Sequence, residues 1–228
     1  MKSRKHHHLA ALVLLLATTG FTGCLTSKRM DSYVASQFGN ELPRLKKNKA
    51  DITVNSVYSS AHDEISNTVQ KTSHFLPLIV YFQFDYRHTC TLNPQIGVTE
   101  FANNVGSQYA KISQQLGGRT LELTVEQVPS AFAIADKAHL LLLVIHWDRV
   151  FVDPDFKDLV VSYKLLQNNS VVKTGKIDVK NHERDRNVGV FQSWKSSVRE
   201  YLSTYNADMT SMSKEFVTQL LNELQQSK

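Results

Sequence analysis

The stretch NPQIGVTEFANNVGSQYAKISQQLGGRTLELTVE, residues 93–126, decides the fold class of this chain. Asn93-Pro94 is a typical helix start, because Asn caps free N–H groups and Pro fits the first helical position. Gly117-Gly118 is a typical helix end. Between them, apolar residues recur every three or four positions: Val98, Phe101, Val105, Tyr109, Ile112 and Leu116. This spacing predicts a helix of about six turns with one apolar face.

The residues that follow this helix form a strand pattern. Residues 121–126 alternate between apolar side chains (Leu, Leu, Val) and polar ones (Glu, Thr, Glu). Alternation of this kind is typical of a strand with one face on the core and one face in water. A helix and a strand that each have one apolar face predict a helix packed on a sheet.

Further strands are predicted on both sides of this helix and strand. Residues 75–84 and 140–145 are continuously apolar or aromatic, which is typical of strands buried on both faces. The other predicted strands are residues 51–58, 119–126, 159–166 and 171–179, whereas 59–73 reads as a loop and 131–138 as ambiguous, with one short helical turn as an option. The predicted fold class is α+β: a two-layer sandwich with a mostly antiparallel sheet of about six strands and two long helices on one face.

The second long helix is predicted from Phe191 to the C-terminal end of the chain. No Gly or Pro occurs in residues 191–226, and apolar residues keep helical spacing. A break is possible near residues 206–208, where Asp208 could cap a second helix. The apolar stripe is expected to face the sheet, with a partner-binding face as the alternative. Residues 216–224 are the part expected to project from the body.

The N-terminal residues have the order of a secretory signal. A cationic start (Lys2, Arg4 and Lys5) precedes an apolar core at residues 9–17 and small residues before a cysteine. The apolar core is shorter than the ~20 residues that cross a bilayer. An uncleaved membrane anchor and an ordinary signal peptide are the alternatives.

The end of this signal resembles the lipobox of bacterial lipoproteins. Thr22 and Gly23 are the two small residues before Cys24, and Phe21 takes the place where Leu is usual. The resemblance implies cleavage before Cys24 and acylation of Cys24, so that several acyl chains hold the chain on a membrane. Because Leu25 follows the cysteine, and not the Asp that retains many such proteins at the inner membrane, the resemblance implies the outer membrane, facing the periplasm.

The signal divides the chain into three parts. Residues 1–23 are the signal peptide, residues 24–50 are expected to be a lipidated cysteine and a tether with a possible short helix, and residues 51–228 form a single α+β domain. Residues 30–42 supply the apolar residues at helical spacing on which the short helix is predicted.

Charge and cysteine content exclude some classes of function. The whole chain has 26 Lys and Arg against 21 Asp and Glu. Without the three cations of the signal, 23 against 21 leaves a formal charge of +2, which argues against nucleic acid as a partner. With Cys24 lipidated, Cys90 is the single remaining cysteine, so no internal disulfide is expected. We expect Cys90 to be a buried small residue, with a reactive or intermolecular thiol as the alternative.

Two residue pairs are considered as a zinc site. His88 with Cys90, and His146 with Asp148, each stand two positions apart, so each pair could share one face of a strand. Such pairs also arise by chance, and no metal or cofactor is predicted.

Two charged clusters have an ordinary interpretation beside a functional one. The first cluster contains Asp148, Asp153, Asp155 and Asp158. It could hold calcium but lacks EF-hand spacing, so turn formation around Pro154 explains these acidic residues better. The second is a basic loop that could meet an acidic partner or lipid, or could simply be solvated; it contains Lys180, His182, Arg184 and Arg186. The chain has no G-x-S-x-G and no H-E-x-x-H motif, and we expect no enzymatic activity.

The α+β order loosely resembles auxiliary lipoproteins of envelope transport and assembly systems. The most similar part is the hairpin formed by residues 163–166 and 171–176, followed by a terminal helix. The resemblance implies a non-catalytic binding or scaffold subunit with an envelope protein as partner and the bilayer bound through Cys24. A carrier of a lipid or small apolar ligand and an envelope hydrolase are the alternatives. Cys24 is the only functional residue that the resemblance assigns.

Overall fold

The computed structural model describes residues 27–37, 51–58, 66–77, 80–154, 157–182, 186–187 and 193–225. The predicted signal peptide and Cys24 therefore lie outside the described residues. The helices and strands in the described part are, in chain order, α1 (Ser27–Gln37), β1 (Ile52–Ser56), β2 (Ser66–Leu76), β3 (Tyr81–Thr91), α2 (Pro94–Ser107), α3 (Tyr109–Leu116), β4 (Thr120–Gln127), β5 (Ala131–Leu141), β6 (Ile145–Pro154), β7 (Leu159–Gln167), β8 (Ser170–Val179), β9 (Arg186–Asn187) and α4 (Trp194–Gln225).

The α+β class is confirmed, but the strands are divided between two sheets. The first sheet has the order β1-β4-β7-β8, with β1 parallel to β4 and the other pairs antiparallel. The second has the order β2-β3-β5-β6-β9 and is antiparallel throughout. A single sheet of about six strands is not formed, because β2–β3 and β5–β6 are long hairpins that pair with each other.

The helix and strand at residues 93–126 form as predicted. The Asn93 side chain accepts a 3.0 Å hydrogen bond from the N–H of Gln95, and Pro94 is the first helical residue. Gly117 ends the helical segment in the left-handed conformation, with φ of 58°. The segment is not continuous, because Gln108, with φ of −99° and ψ of 10°, separates α2 from α3.

Helix α4 joins the two sheets and the other helices. Its Tyr201 packs on Phe132 of β5 with ring centroids 4.8 Å apart, and its Phe216 meets Phe101 of α2 edge to face at 5.1 Å. The helix is continuous through residues 206–208, so the possible break there does not occur. Its far end does not project, because Leu220 and Leu224 are fully buried.

Helix α1 packs on the body within the segment that was expected to be a tether. Met30 and Val34 are fully buried. Tyr33 packs edge to face on Trp194 at 5.3 Å, and its hydroxyl donates a 2.9 Å hydrogen bond to the carbonyl oxygen of Lys195. The remainder of the expected tether, residues 38–50, lies outside the described residues.

The interpretation of the two apolar runs as buried strands was wrong. The run at residues 75–84 contains the turn between β2 and β3, and the run at 140–145 contains the turn between β5 and β6. Residues 66–73, expected to be a loop, belong to β2, and residues 131–138 belong to β5. None of the helices in the described part of the chain has the length and hydropathy that a bilayer-spanning helix needs.

A candidate interaction surface at the end of a four-stranded arm

The second sheet extends into an arm built from β2, β3, β5 and β6. Its base is in the core, where His88 and Cys90 of β3 and Ile134 of β5 are buried. We define the arm as the described residues of 73–85 and 137–149. None of its described side chains is buried, so this part of the sheet lies beyond the cover of the helices.

Both hairpin turns lie at the same end of the arm. Tyr81, the first residue of β3, pairs with Leu76 on one side and with Leu141 on the other. Leu141 in turn pairs with Ile145 across the second turn. The register therefore brings the two turns together in one surface.

We call this surface the tip. Its members are exposed apolar residues of the two turns and their flanks: Phe75, Leu76, Pro77, Val80, Leu142, Leu143, Val144 and Ile145. Val144 is 84% exposed and Leu143 65%. Residues 75–84 and 138–147 contain no Asp, Glu, Lys or Arg. A contiguous apolar surface of this kind on a folded protein marks an interaction site more often than scattered apolar residues do.

The backbone of the tip adopts conformations that its residues disfavour. Val80, Leu142 and Leu143 have φ of 46°, 52° and 57°. Left-handed backbone costs ~1–2 kcal/mol for residues other than Gly, Asn and Asp, and it is a genuine outlier for a β-branched residue. The turn between β7 and β8 has the same backbone but holds Asn168 and Asn169, with φ of 51° and 64°. The chain thus uses asparagine for one left-handed turn and keeps apolar residues at the tip.

Hydrogen bonds within the turns satisfy backbone groups of the tip. The N–H of Val80 donates to the carbonyl of Pro77 at 3.3 Å, and the N–H of Val144 donates to the carbonyl of Leu141 at 3.1 Å. The N–H of Leu142 donates to the carbonyl of Val80 at 2.9 Å, which connects the two turns.

Aromatic side chains form a band directly behind the tip. On one face, the Tyr81 hydroxyl lies 2.6 Å from Nδ1 of His139, and the His139 ring stacks on Trp147 with centroids 4.9 Å apart. On the other face, Phe75 stacks on Phe82 at 4.4 Å. The first charged position behind this band is Asp148 of β6, opposite Ala138, and the next are Asp85 and Lys137, which pair directly across β3 and β5.

The structure does not bring the four candidate zinc ligands together. His88 and Cys90 share the buried face at the base of the arm. In the register, His88 lies in line with Val152 of β6, and His146 is six residues from Val152 along that strand, a distance of about 20 Å. The described residues contain no group of three or more His, Cys, Asp or Glu that could hold a metal ion.

His88 is a buried histidine at the base of the arm. It is 2% exposed, and its Nδ1 has no hydrogen-bond partner among the described residues. Burial lowers the pKa of His88, because the apolar surroundings disfavour the charged imidazolium. Cys90 is fully buried, as expected for a small core residue.

The charged clusters form surface ion pairs. Asp153 pairs with Arg87. Lys180 donates to Asp158 at 2.6 Å and to Asp178 at 3.2 Å. The hydrogen bond from Lys180 is the main cause that lowers the pKa of Asp158, with the N–H of Asn181 as a second donor. Asp155 and Arg184 of these clusters lie outside the described residues, as do the side chains of Asp148 and Arg186.

A surface cleft of about 370 Å³ lies beside the Arg87–Asp153 pair, at the base of the arm. Thr89 and Lys157 add further polar groups to its wall, and Ala133 and Pro154 supply apolar ones. The wall of the cleft therefore combines one ion pair and a lysine with apolar side chains.

Sequence reasoning missed the arm, although it singled out both apolar runs. Each run has strand-like residues on both sides, 66–76 and 81–91 around the first, 131–141 and 145–154 around the second. Pro77 inside the first run was a further sign, because proline interrupts a strand ladder. An apolar run with strand-like segments of similar length on both sides is the pattern that could have predicted each hairpin.

The comparisons with known proteins identify no relative of this chain. No protein-family model matches it. No curated protein sequence and no solved structure matches it at a significant level.

Proposed function

We propose that the chain is a membrane-anchored lipoprotein of the bacterial envelope whose body is a non-catalytic binding and scaffold subunit of a transport or assembly system. Lipidation at Cys24 holds it on the outer membrane, facing the periplasm. The lipobox at residues 21–24 supports the anchoring, and the arm supports the binding role.

The single observation that carries the binding role is the uncovered arm. Four paired strands run beyond the helices, and their described side chains stay half-exposed or exposed on both faces. Burying apolar surface is the main favourable term in folding, so an extension without cover adds little to the stability of its own domain. An extension of this kind is suited to contact another molecule.

The anchoring is tested by replacing Cys24. In the bacterial host, the unchanged chain is expected to incorporate radiolabelled palmitate and to fractionate with the outer membrane. Cys24→Ser is expected to abolish the label and to leave either an uncleaved precursor or a soluble domain. Labelled, membrane-bound Cys24→Ser protein would overturn the proposed anchor.

The binding role is tested by photo-crosslinking in cells. A photoreactive residue is placed at Gln83 or Lys137 on the arm and, as a control, at Lys164 or Thr174 on the first sheet. The four positions are accessible in the fold. We expect one discrete adduct with an envelope protein from the arm positions and none from the control positions. Equal, diffuse adducts from all four positions would contradict a binding role for the arm.

A further inference from the structure

We propose that the tip inserts into the boundary between lipid headgroups and acyl chains, so that the arm is a second membrane contact besides Cys24. The membrane location rests on the proposed lipoprotein function, whereas the insertion itself is argued from the tip. The partner that the tip contacts is a lipid surface.

The order of side chains along the arm is typical of a segment that enters a bilayer. Aliphatic residues stand at the two turns, the aromatic band with Tyr81 and Trp147 lies behind them, and the first charged positions, Asp148 and then Asp85 with Lys137, lie behind that band. Proteins that enter a bilayer show this order with depth, because Tyr and Trp prefer the interface and charges stay in water.

The tip presents apolar side chains on both faces of the sheet. Register places Phe75 opposite Phe82 on one face, and Leu76 opposite Tyr81 on the other. Next to them, Leu140 continues the first face and Leu141 the second. Lipid contacts an inserted tip on both faces, so polar side chains on either face would be costly.

The backbone of the tip is also suited to insertion into lipid. Unpaired N–H and C=O groups are costly in hydrocarbon, so an inserted segment has to satisfy them internally. The turn bonds Val80 to Pro77, Val144 to Leu141 and Leu142 to Val80 do this for three N–H groups at the tip. The third of these bonds closes the gap between the two hairpins.

The proposed anchor lies close to the body along the chain. Helix α1 begins at Ser27, three residues after Cys24, and packs on the body through Met30 and Val34. Three residues span at most about 10 Å. A lipidated Cys24 would therefore hold the body close to the bilayer, where a second and weaker apolar contact is effective because its local concentration is high.

Trp147 provides a direct measurement, because the chain has only two tryptophans. Trp194→Phe removes the other one. The processed, lipidated Trp194→Phe protein is reconstituted into vesicles of phosphatidylethanolamine and phosphatidylglycerol, with or without bromine on the acyl chains. We expect Trp147 emission to shift to shorter wavelength and to be quenched roughly twofold by brominated lipid, as for an interfacial aromatic residue.

Matched variants separate the tip from other exposed apolar residues. Leu143→Asp with Val144→Asp is expected to abolish the quenching. The control is Val171→Asp with Val172→Asp at the start of β8, where the side chains are 54% and 49% exposed, and it is expected to keep the quenching. A thermal melt of each variant shows that it is folded. Unquenched Trp147 in the parent protein, or equal loss in the control, overturns the proposal.

The proposal can fail independently of the proposed function. Residues 24–228 with Cys24→Ser contain every residue that the structure describes but carry no lipid. Binding of this protein to the same vesicles, lost in Leu143→Asp with Val144→Asp, supports tip insertion even if Cys24 proves not to be acylated. Acylated Cys24 with unquenched Trp147 overturns tip insertion and leaves the anchored binding subunit in place. A tip crosslinked to one protein, with Trp147 unquenched in vesicles, assigns the tip to a protein partner and also overturns it.

Discussion

The N–H of Leu142 donates a 2.9 Å hydrogen bond to the carbonyl oxygen of Val80, so the turn of one hairpin is fastened to the turn of the next. Both residues have positive φ, 52° for Leu142 and 46° for Val80. The bond makes the two turns a single unit, and that unit is held in a backbone conformation which its own side chains disfavour. Strain of this kind persists where surrounding structure enforces it and is concentrated at functional sites.

Relieving the strain should raise stability and weaken membrane contact at the same time. We expect Leu142→Asn with Leu143→Gly to increase the free energy of unfolding by about 1–2 kcal/mol, because both new residues accept positive φ. The loss of buried surface is small, since both leucines are more than half exposed. Chemical denaturation measures the gain, and Trp147 quenching in the Trp194→Phe background should fall.

The reverse exchange at the other hairpin is the control. Asn168→Leu with Asn169→Leu places leucines at φ of 51° and 64°, and we expect a loss of about 1–2 kcal/mol for the same reason. Quenching of Trp147 should not change. A tip variant that is less stable than the parent protein would show that the leucines contribute more to the fold than their backbone strain removes.

The parts of the fold that could be predicted depend on signals close together in the chain. Asn93 caps α2, Gly117 takes the left-handed conformation that ends α3, and β4 follows the alternation of residues 121–126. In each case the residues from which the element is predicted are also the residues that form it.

The arm could not be predicted in this way, because a continuous apolar run has the same appearance in a buried strand and in an exposed turn. Residues 140–145 contain the end of β5, a turn and the start of β6. A buried strand and an exposed turn differ in whether other parts of the chain pack on the apolar run. For this chain, that packing depends on the pairing of β3 with β5. The lipidation of Cys24 stays a prediction.

Tyr163 lies directly opposite Gly175 in the β7–β8 pair, and its ring covers the glycine. A Cβ atom at position 175 would overlap that ring, whose hydroxyl donates a 2.5 Å hydrogen bond to Glu223 of α4. We expect Gly175→Ala to lower the free energy of unfolding by about 1–3 kcal/mol through overpacking. The midpoint and slope of a urea transition would measure it.

A double-mutant cycle tests the cause. Gly175 has ordinary strand backbone, since it is not among the glycines with positive φ. In a Tyr163→Ala background the ring is gone, so Gly175→Ala should be neutral or stabilising by a few tenths of a kcal/mol through the unfolded state. An equal loss in both backgrounds would disprove the ring contact as the cause.

His88 should make the protein less stable in mild acid. Its folded pKa lies below the ordinary value of 6.5 because of burial. Between the two pKa values the unfolded chain binds the proton and the folded chain does not, so stability is complete above pH 6.5 and falls as the pH drops below it. Urea midpoints at pH 7.5 and pH 5.5 give the size of the loss.

The test compares two histidine variants. His88→Leu keeps an apolar side chain in the core and should show a smaller loss of stability between the two pH values than the parent protein does. His74→Gln, at a site that is 61% exposed, should retain the loss of the parent. The same pH dependence in the parent and in His88→Leu would rule out His88 as its source.

The C-terminal end of α4 is part of the core, so shortening a side chain there should lower the free energy of unfolding. Leu220 is fully buried in the cluster that also contains Phe216 and Leu224. Leu220→Ala removes apolar volume and leaves a cavity, so we expect the free energy of unfolding to fall by about 2–5 kcal/mol. Asn222→Ala, two residues further on an exposed position of the same helix, should change it by less than about 0.5 kcal/mol. Thermal melts of the two variants should therefore separate clearly, whereas similar melts would mean that residues 216–224 leave the body in solution and are free to bind a partner.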